Sequence, residues 1–163
     1  MTKFQLEKQI VRNLYGELET KPNDQIDAVL QSAVDDDYLW RGFHPFNEIR
    51  GREAVATCFW WPLKTALTSM QRRMDIFFAG KNRLGSDDSV WVVSMGHLTG
   101  LFDKAWLGIQ PTGKMVMLRY CEFNRVANNK ITETAMYFDI PHLMMQAGLE
   151  PFPNQTGAHM VQP

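Results

Sequence analysis

The chain has 163 residues, 45% of them hydrophobic and 21% charged, which suits one domain with enough volume for a real core. Its 17 basic and 18 acidic residues leave a net charge of -1. That balance lacks the basic footprint of a nucleic-acid binder or of a protein drawn to acidic membranes. Cys58 and Cys121 are far apart and lack metal-ligand spacing, which argues against a disulfide framework and for a reducing compartment.

The N-terminus runs directly into a charged amphipathic stretch without an apolar signal core, and no apolar run approaches a membrane span. A cytoplasmic protein is expected. Between Phe4 and Glu19, Leu6, Ile10, Leu14 and Leu18 form a helical stripe, broken by Pro22 and Asn23. A second helix is predicted from Asp24 to Val34, with Ile26, Val29, Leu30 and Val34 inward. The Asp35-Asp36-Asp37 run reads as a solvated turn, because three adjacent carboxylates cannot all face one ion.

Residues Tyr38 to Gly51 read as an irregular segment, unusually aromatic for a loop, of the kind that crosses a core or lines a pocket mouth. A third helix is expected from Arg52 to Met70, kinked or restarted at Pro62. Within it Cys58 reads as a small buried hydrophobe beside Phe59, Trp60 and Trp61. The period then changes from helical to alternating. Strands are predicted at Arg72 to Ala79, Ser89 to Gly100, Lys114 to Arg125 and Lys130 to Phe138, with a hairpin at Asn128-Asn129. A short helix from Pro141 to Ala147 is closed by Gly148.

Helices first and long antiparallel strands afterwards is an α+β pattern. A twisted sheet with helices on one face curls into a half-open cone whose concave side can hold a small molecule. The cone domain is expected over residues 1–150, with 151–163 an extended tail containing three prolines.

Several short stretches carry a family resemblance. Gly96-His97-Leu98-Thr99-Gly100 precedes Gly108-Ile109-Gln110-Pro111-Thr112-Gly113, and Arg119 opens the next strand segment. Asn129-Lys130-Ile131 and Asp139 ahead of Leu143-Met144-Met145-Gln146-Ala147-Gly148 complete the series. In this order they resemble the SnoaL-like polyketide cyclases; the His44-Pro45-Phe46 loop ahead of Arg50-Gly51-Arg52 is also similar to relatives. Gln110 and Asn129 depart from the family's usual proline and glycine. The resemblance implies the nuclear transport factor two-like cone fold, an acid/base enzyme working without a cofactor, a hydrophobic small-molecule substrate and a homodimer. Intramolecular aldol cyclization of an ester-bearing or polyketide-like carbonyl compound is the implied reaction. The same fold also carries dehydratases, isomerases and non-catalytic binding modules.

Such chemistry needs a carboxylate base, a donor to the enolate oxygen and apolar walls. The resemblance assigns the first role to Asp139, whose alternative is to cap the final helix. His97 falls in the alternating run Trp91, Val93, Met95, His97, Thr99; pointing into the pocket it could be the donor, or else a satisfied core histidine. Glu133, Tyr137 and Asp139 share one strand face, as do Tyr120 and Glu122. Glu122 is a second carboxylate candidate or the partner of a strand arginine. Arg73 and Arg119 are structural partners or substrate ligands. Trp40, His44, Phe46 and Trp61 are candidate lid or wall residues, with plain core packing the favoured alternative for Trp60 and Trp61. The histidines 44, 97, 142 and 159 form no metal motif, so no metal is expected.

Overall fold

The computed structural model describes residues 3–84 and 89–152. Helix α1 (Gln5–Thr20) buries Val11, Leu14, Tyr15 and Leu18. Leu6, expected inward, is 59% exposed, because the buried stripe follows Val11 and Tyr15 instead. A 3-10 turn (Asn23–Gln25) leads into α2 (Ile26–Ala33), which buries Ile26, Val29 and Leu30. Strand β1 (Val34–Arg41) follows directly and is joined antiparallel by β2 (Glu48–Arg50). The aspartate run is therefore part of a strand rather than a turn. It occupies a register irregularity in which Asp37 N donates to Asp35 Oδ1 at 3.0 Å.

The third helical segment is shorter than the sequence suggests and has three parts: α3 (Arg52–Val55), a π turn (Ala56–Trp60) and α4 (Trp61–Ala66). Pro62 has no N–H to donate back along the helix, and the turn before it widens, Trp61 N bonding to Ala56 O. That turn sends Phe59 and Trp60 inward and leaves Cys58 exposed, against the expectation of a buried thiol.

The strands are β3 (Leu67–Lys81), β4 (Val90–Phe102), β5 (Lys114–Ala127) and β6 (Lys130–Phe138). They form a six-stranded curved sheet in the order β2-β1-β6-β5-β4-β3, with β1 parallel to β6 and the other pairs antiparallel. The β5–β6 turn has φ of 50° at Asn128 and 62° at Asn129, the left-handed conformation that asparagine tolerates. Strand β3 begins five positions earlier than predicted because a register shift between Thr68 and Gln71, with Ser69 at φ 55°, interrupts its alternation.

Alternation divides the sheet into two faces. The inner one, turned to α1–α4, carries Val92, Ser94, Leu98 and Phe102 of β4, all fully buried. Its core includes an aromatic cluster: Trp40 lies 4.5 Å from Phe59 and 5.8 Å from Phe46 between ring centroids, and Phe46 stacks on Trp106 at 6.2 Å. The outer face carries Trp91, Val93, Met95, His97 and Thr99, all at least partly exposed. Helix α5 (Ile140–Gln146) closes the described chain, followed by Gly148 at φ 78°. Of the expected tail only Pro151 and Phe152 are among the described residues; His159 lies outside them. No helix is long and apolar enough to cross a membrane.

Candidate active site

A groove of about 460 Å³ opens on the outer face of the sheet. Its polar groups are His97 of β4, Arg119 of β5, Asp139 just beyond β6, and Asp75 of β3. Met95, Cys121, Tyr137 and Phe138 supply most of the apolar wall. Alternation along β4 sets the face of His97: its neighbours Gly96 and Leu98 are turned inward, and the imidazole stands on the opposite side.

Two contacts organise the groove. Asp139 Oδ2 lies 3.4 Å from Arg119 Nη1, while its Oδ1 accepts from His142 N at 3.0 Å. Asp139 thus caps α5 and borders the groove at once. His97 Nδ1 lies 3.4 Å from Asp75 Oδ2. Burial and then the negative charge of Glu122 push the Cys121 thiol up, which leaves it a poor nucleophile at neutral pH.

On the inner face, directly behind the groove, sits a polar network. Arg72 Nη1 donates to Glu122 Oε2 at 2.7 Å, with both side chains almost fully buried. The guanidinium also lies 3.7 Å from the Tyr15 ring centroid and 4.4 Å from that of Tyr120. Asn124 Nδ2 donates to Tyr15 Oη and to Glu122 Oε1, while Thr134 donates to Asn124 Oδ1 and Tyr38 to Thr134. Tyr120 Oη and Ser94 Oγ share a hydrogen bond of 2.7 Å. Burial opposes charge on Arg72, but Glu122, Tyr15 and Tyr120 outweigh it and hold the guanidinium above its usual value. Burial is likewise the main cause that raises the phenols of Tyr15 and Tyr38. Glu122 is therefore the arginine's partner, on the side of the sheet away from the groove.

The sequence signature described as SnoaL-like polyketide cyclase matches residues 12–147. The chain belongs to the SnoaL-like polyketide cyclase family. Solved structures with the same fold include a candidate SnoaL-like polyketide cyclase from Jannaschia sp. CCS1, 19% identical with a TM-score of 0.67; the match covers 94% of this chain and 98% of that one. IdmH, a candidate polyketide cyclase from Streptomyces antibioticus, is 16% identical with a TM-score of 0.65 over 89% of this chain and 99% of its own. AclR, a candidate hydroxylase from Streptomyces galilaeus, is 17% identical with a TM-score of 0.64 over 91% and 85%. At these identities the likeness shows the fold. No curated protein matches the sequence.

The SnoaL-like motifs have local structural reasons in this chain. A Cβ at Gly96 would collide with the carbonyl oxygen of Arg73 and crowd Asp75 N at 3.1 Å. One at Gly100 would stand 3.0 Å from Leu67 Cβ. Both glycines lie opposite the register shifts of β3, so Gly96-His97-Leu98-Thr99-Gly100 is the strand over which β3 bulges twice. Gln146 has a different task. Strand β6 ends at Phe138, and the Gln146 side-chain amide then donates to Met117 O at 2.8 Å and accepts from Met117 N at 2.9 Å. It continues the ladder along β5 as a strand residue would.

Of the candidate site residues singled out in the sequence, Asp139, His97, Arg119, Tyr120 and Tyr137 border the groove. Tyr120 does so from the inner side, with its hydroxyl committed to Ser94. Arg73 is the register partner of His97 on the outer face. His44 lines a separate cavity of about 420 Å³ with Phe43, Pro45, Leu107, Ile140 and Pro141. Trp40 and Phe46 are packing residues of the aromatic cluster rather than a lid. Trp61, expected in a pocket wall, is 37% exposed and lines neither cavity, because the π turn directs Trp60 inward in its place. Asp75 and Arg72 went unrecognised: a bulge residue and an arginine buried within a strand carry no periodic signal. Among the described residues no group of three or more His, Cys, Asp or Glu is arranged to hold a metal ion.

Proposed function

We propose that this SnoaL-like protein is an acid/base enzyme that closes a ring within an enolizable ester or ketone by intramolecular aldol addition. The observation that carries this reading is one apolar groove bordered by both Asp139 and His97. Asp139 takes the α-proton, and the electron pair of the broken C–H bond moves onto the carbonyl oxygen. The protonated imidazole of His97 donates to that enolate oxygen. The enolate carbon then forms a C–C bond to a second carbonyl of the same molecule. The resulting alkoxide recovers the proton from Asp139, so the product is an isomer of the substrate and no co-reactant is consumed.

The test is α-proton exchange and turnover on a panel of enolizable keto-esters in D2O, followed by NMR. Asp139→Asn keeps a competent helix cap, since asparagine caps as well as aspartate, and is expected to abolish exchange. His97→Gln is expected to slow turnover roughly a hundredfold, the usual loss for one such donor. Unchanged rates in both variants would remove these residues from the mechanism. A dehydratase or isomerase would use the same pair, and the product distinguishes them.

A second reading, a binding or dimerisation module, is favoured by the position of the groove on the outer face. There Ile76, Phe78, Met95, Met115, Met117 and Tyr137 are exposed large apolar side chains. We infer that a second copy of the chain covers this face, making a homodimer and screening the groove from water. Two unpaired thiols suit the reducing cytoplasm.

A further inference from the structure

Asp75 occupies a peculiar place in its strand. Arg73 pairs with His97, Met74 with Gly96 and Ile76 with Met95, so Asp75 is the extra residue of a bulge without a partner in the register. The missing side chain at Gly96 is what lets the β3 backbone approach closely enough for that bulge. The result brings a carboxylate to a ring nitrogen that strand pairing alone would leave to solvent: Oδ2 stands 3.4 Å from Nδ1 of His97.

The surroundings of His97 give this contact its meaning. Arg73 on β3 and Arg119 on β5 are its register partners on either side. Asp75 faces it from the bulge, while Cys121 on β5 and Tyr137 and Asp139 from the β6 side complete the titratable groups around the groove. Asp139 is engaged by Arg119 and by the amide of His142. Asp75 is left as the carboxylate in contact with the imidazole.

We infer that Asp75 is the positioning residue of this site: it accepts from Nδ1–H of His97, fixes the ring's tautomer and presents Nε2 to the groove. With Nδ1–H held by Asp75, donation to the enolate oxygen uses Nε2–H of the protonated ring, whose charge the Asp75 carboxylate offsets. The inference rests on the acid/base reading of His97 for its catalytic consequence, but the tautomer itself does not.

The experiment is long-range ¹H–¹⁵N NMR of the histidine ring nitrogens at a pH where imidazole is neutral, with His97→Gln identifying the signals of residue 97. The wild-type ring is expected to be protonated at Nδ1 and bare at Nε2. Asp75→Ala should move the population toward the Nε2–H form, and Asp75→Asn, whose amide oxygen still accepts, should keep much of the wild-type pattern. On a turned-over substrate, Asp75→Ala should lower kcat about tenfold or more with KM little changed, a part of the 10²–10⁴ that acid–base catalysis supplies. An Nδ1–H tautomer that persists in Asp75→Ala overturns the inference, and so does a wild-type ring protonated at Nε2. Asp75 is 57% exposed, so these substitutions leave the core intact. If the tautomer shifts as expected but no enolizable compound is turned over, the role of Asp75 stands and the cyclase reading fails.

Discussion

Behind the groove, Arg72 and Glu122 are almost fully buried side by side. An arginine and a glutamate withdrawn from water are costly, and they are tolerated here because each finds partners: Arg72 meets Glu122 and two tyrosine rings, and Glu122 also accepts from Asn124. Tyr15 and Tyr38 share this environment, and burial raises both phenols. The sign of the pH dependence follows. Below the ordinary tyrosine value near 10 both states hold the phenolic protons and stability is fully present. Above it the unfolded chain loses them first, so stability falls as pH rises toward the folded values. Spectrophotometric titration at 295 nm should therefore show Tyr15 and Tyr38 ionising together with loss of the fold, and Tyr38→Phe should remove part of that late step. Early, reversible ionisation of all four tyrosines in the native protein would contradict this account.

At the scale of elements, the ends are where sequence and structure part company. Helices α1 and α2 and strands β4 to β6 follow periodicities visible in the chain, and the asparagine pair marks its hairpin. The start of β3 was hidden by the bulge at Ser69, and Asp75 by the second bulge, because alternation is the signal that a bulge erases. The face of His97 was hidden for another reason. Both sides of β4 are apolar, Trp91, Val93 and Met95 against Val92, Leu98 and Phe102, so hydrophobicity could not say which is covered. The capping role of Asp139 was legible in its place before α5. The role of Gln146 belongs to this scale as well. Gln146→Ala deletes both bonds to Met117 and should cost about 1–2 kcal/mol. That corresponds to a Tm lower by roughly 2–8 °C in a chain of this size. Calorimetry checks it, and an unchanged Tm would mean the edge of β5 is satisfied by water.

As a whole, the molecule is a sheet with unlike sides: helices and a dense core on one, an amphipathic surface with a groove on the other. Exposed Ile76 and Phe78 lie on that surface with Met95. If a second copy covers it, Phe78→Asp should leave the core untouched yet halve the mass seen by light scattering at micromolar concentration. A monomeric wild type would assign the surface to ligand alone.

The alternation of side chains has a final consequence, for how such a protein can change over time. Along β4 and β5 each residue answerable to folding is followed by one answerable to whatever occupies the groove: Gly96 then His97, Leu118 then Arg119, Tyr120 then Cys121. Gly96 and Asp139 apart, which serve both, a change at one set of positions leaves the packing of the other in place. A lineage built this way can reshape its groove in single steps while most of its scaffold is inherited.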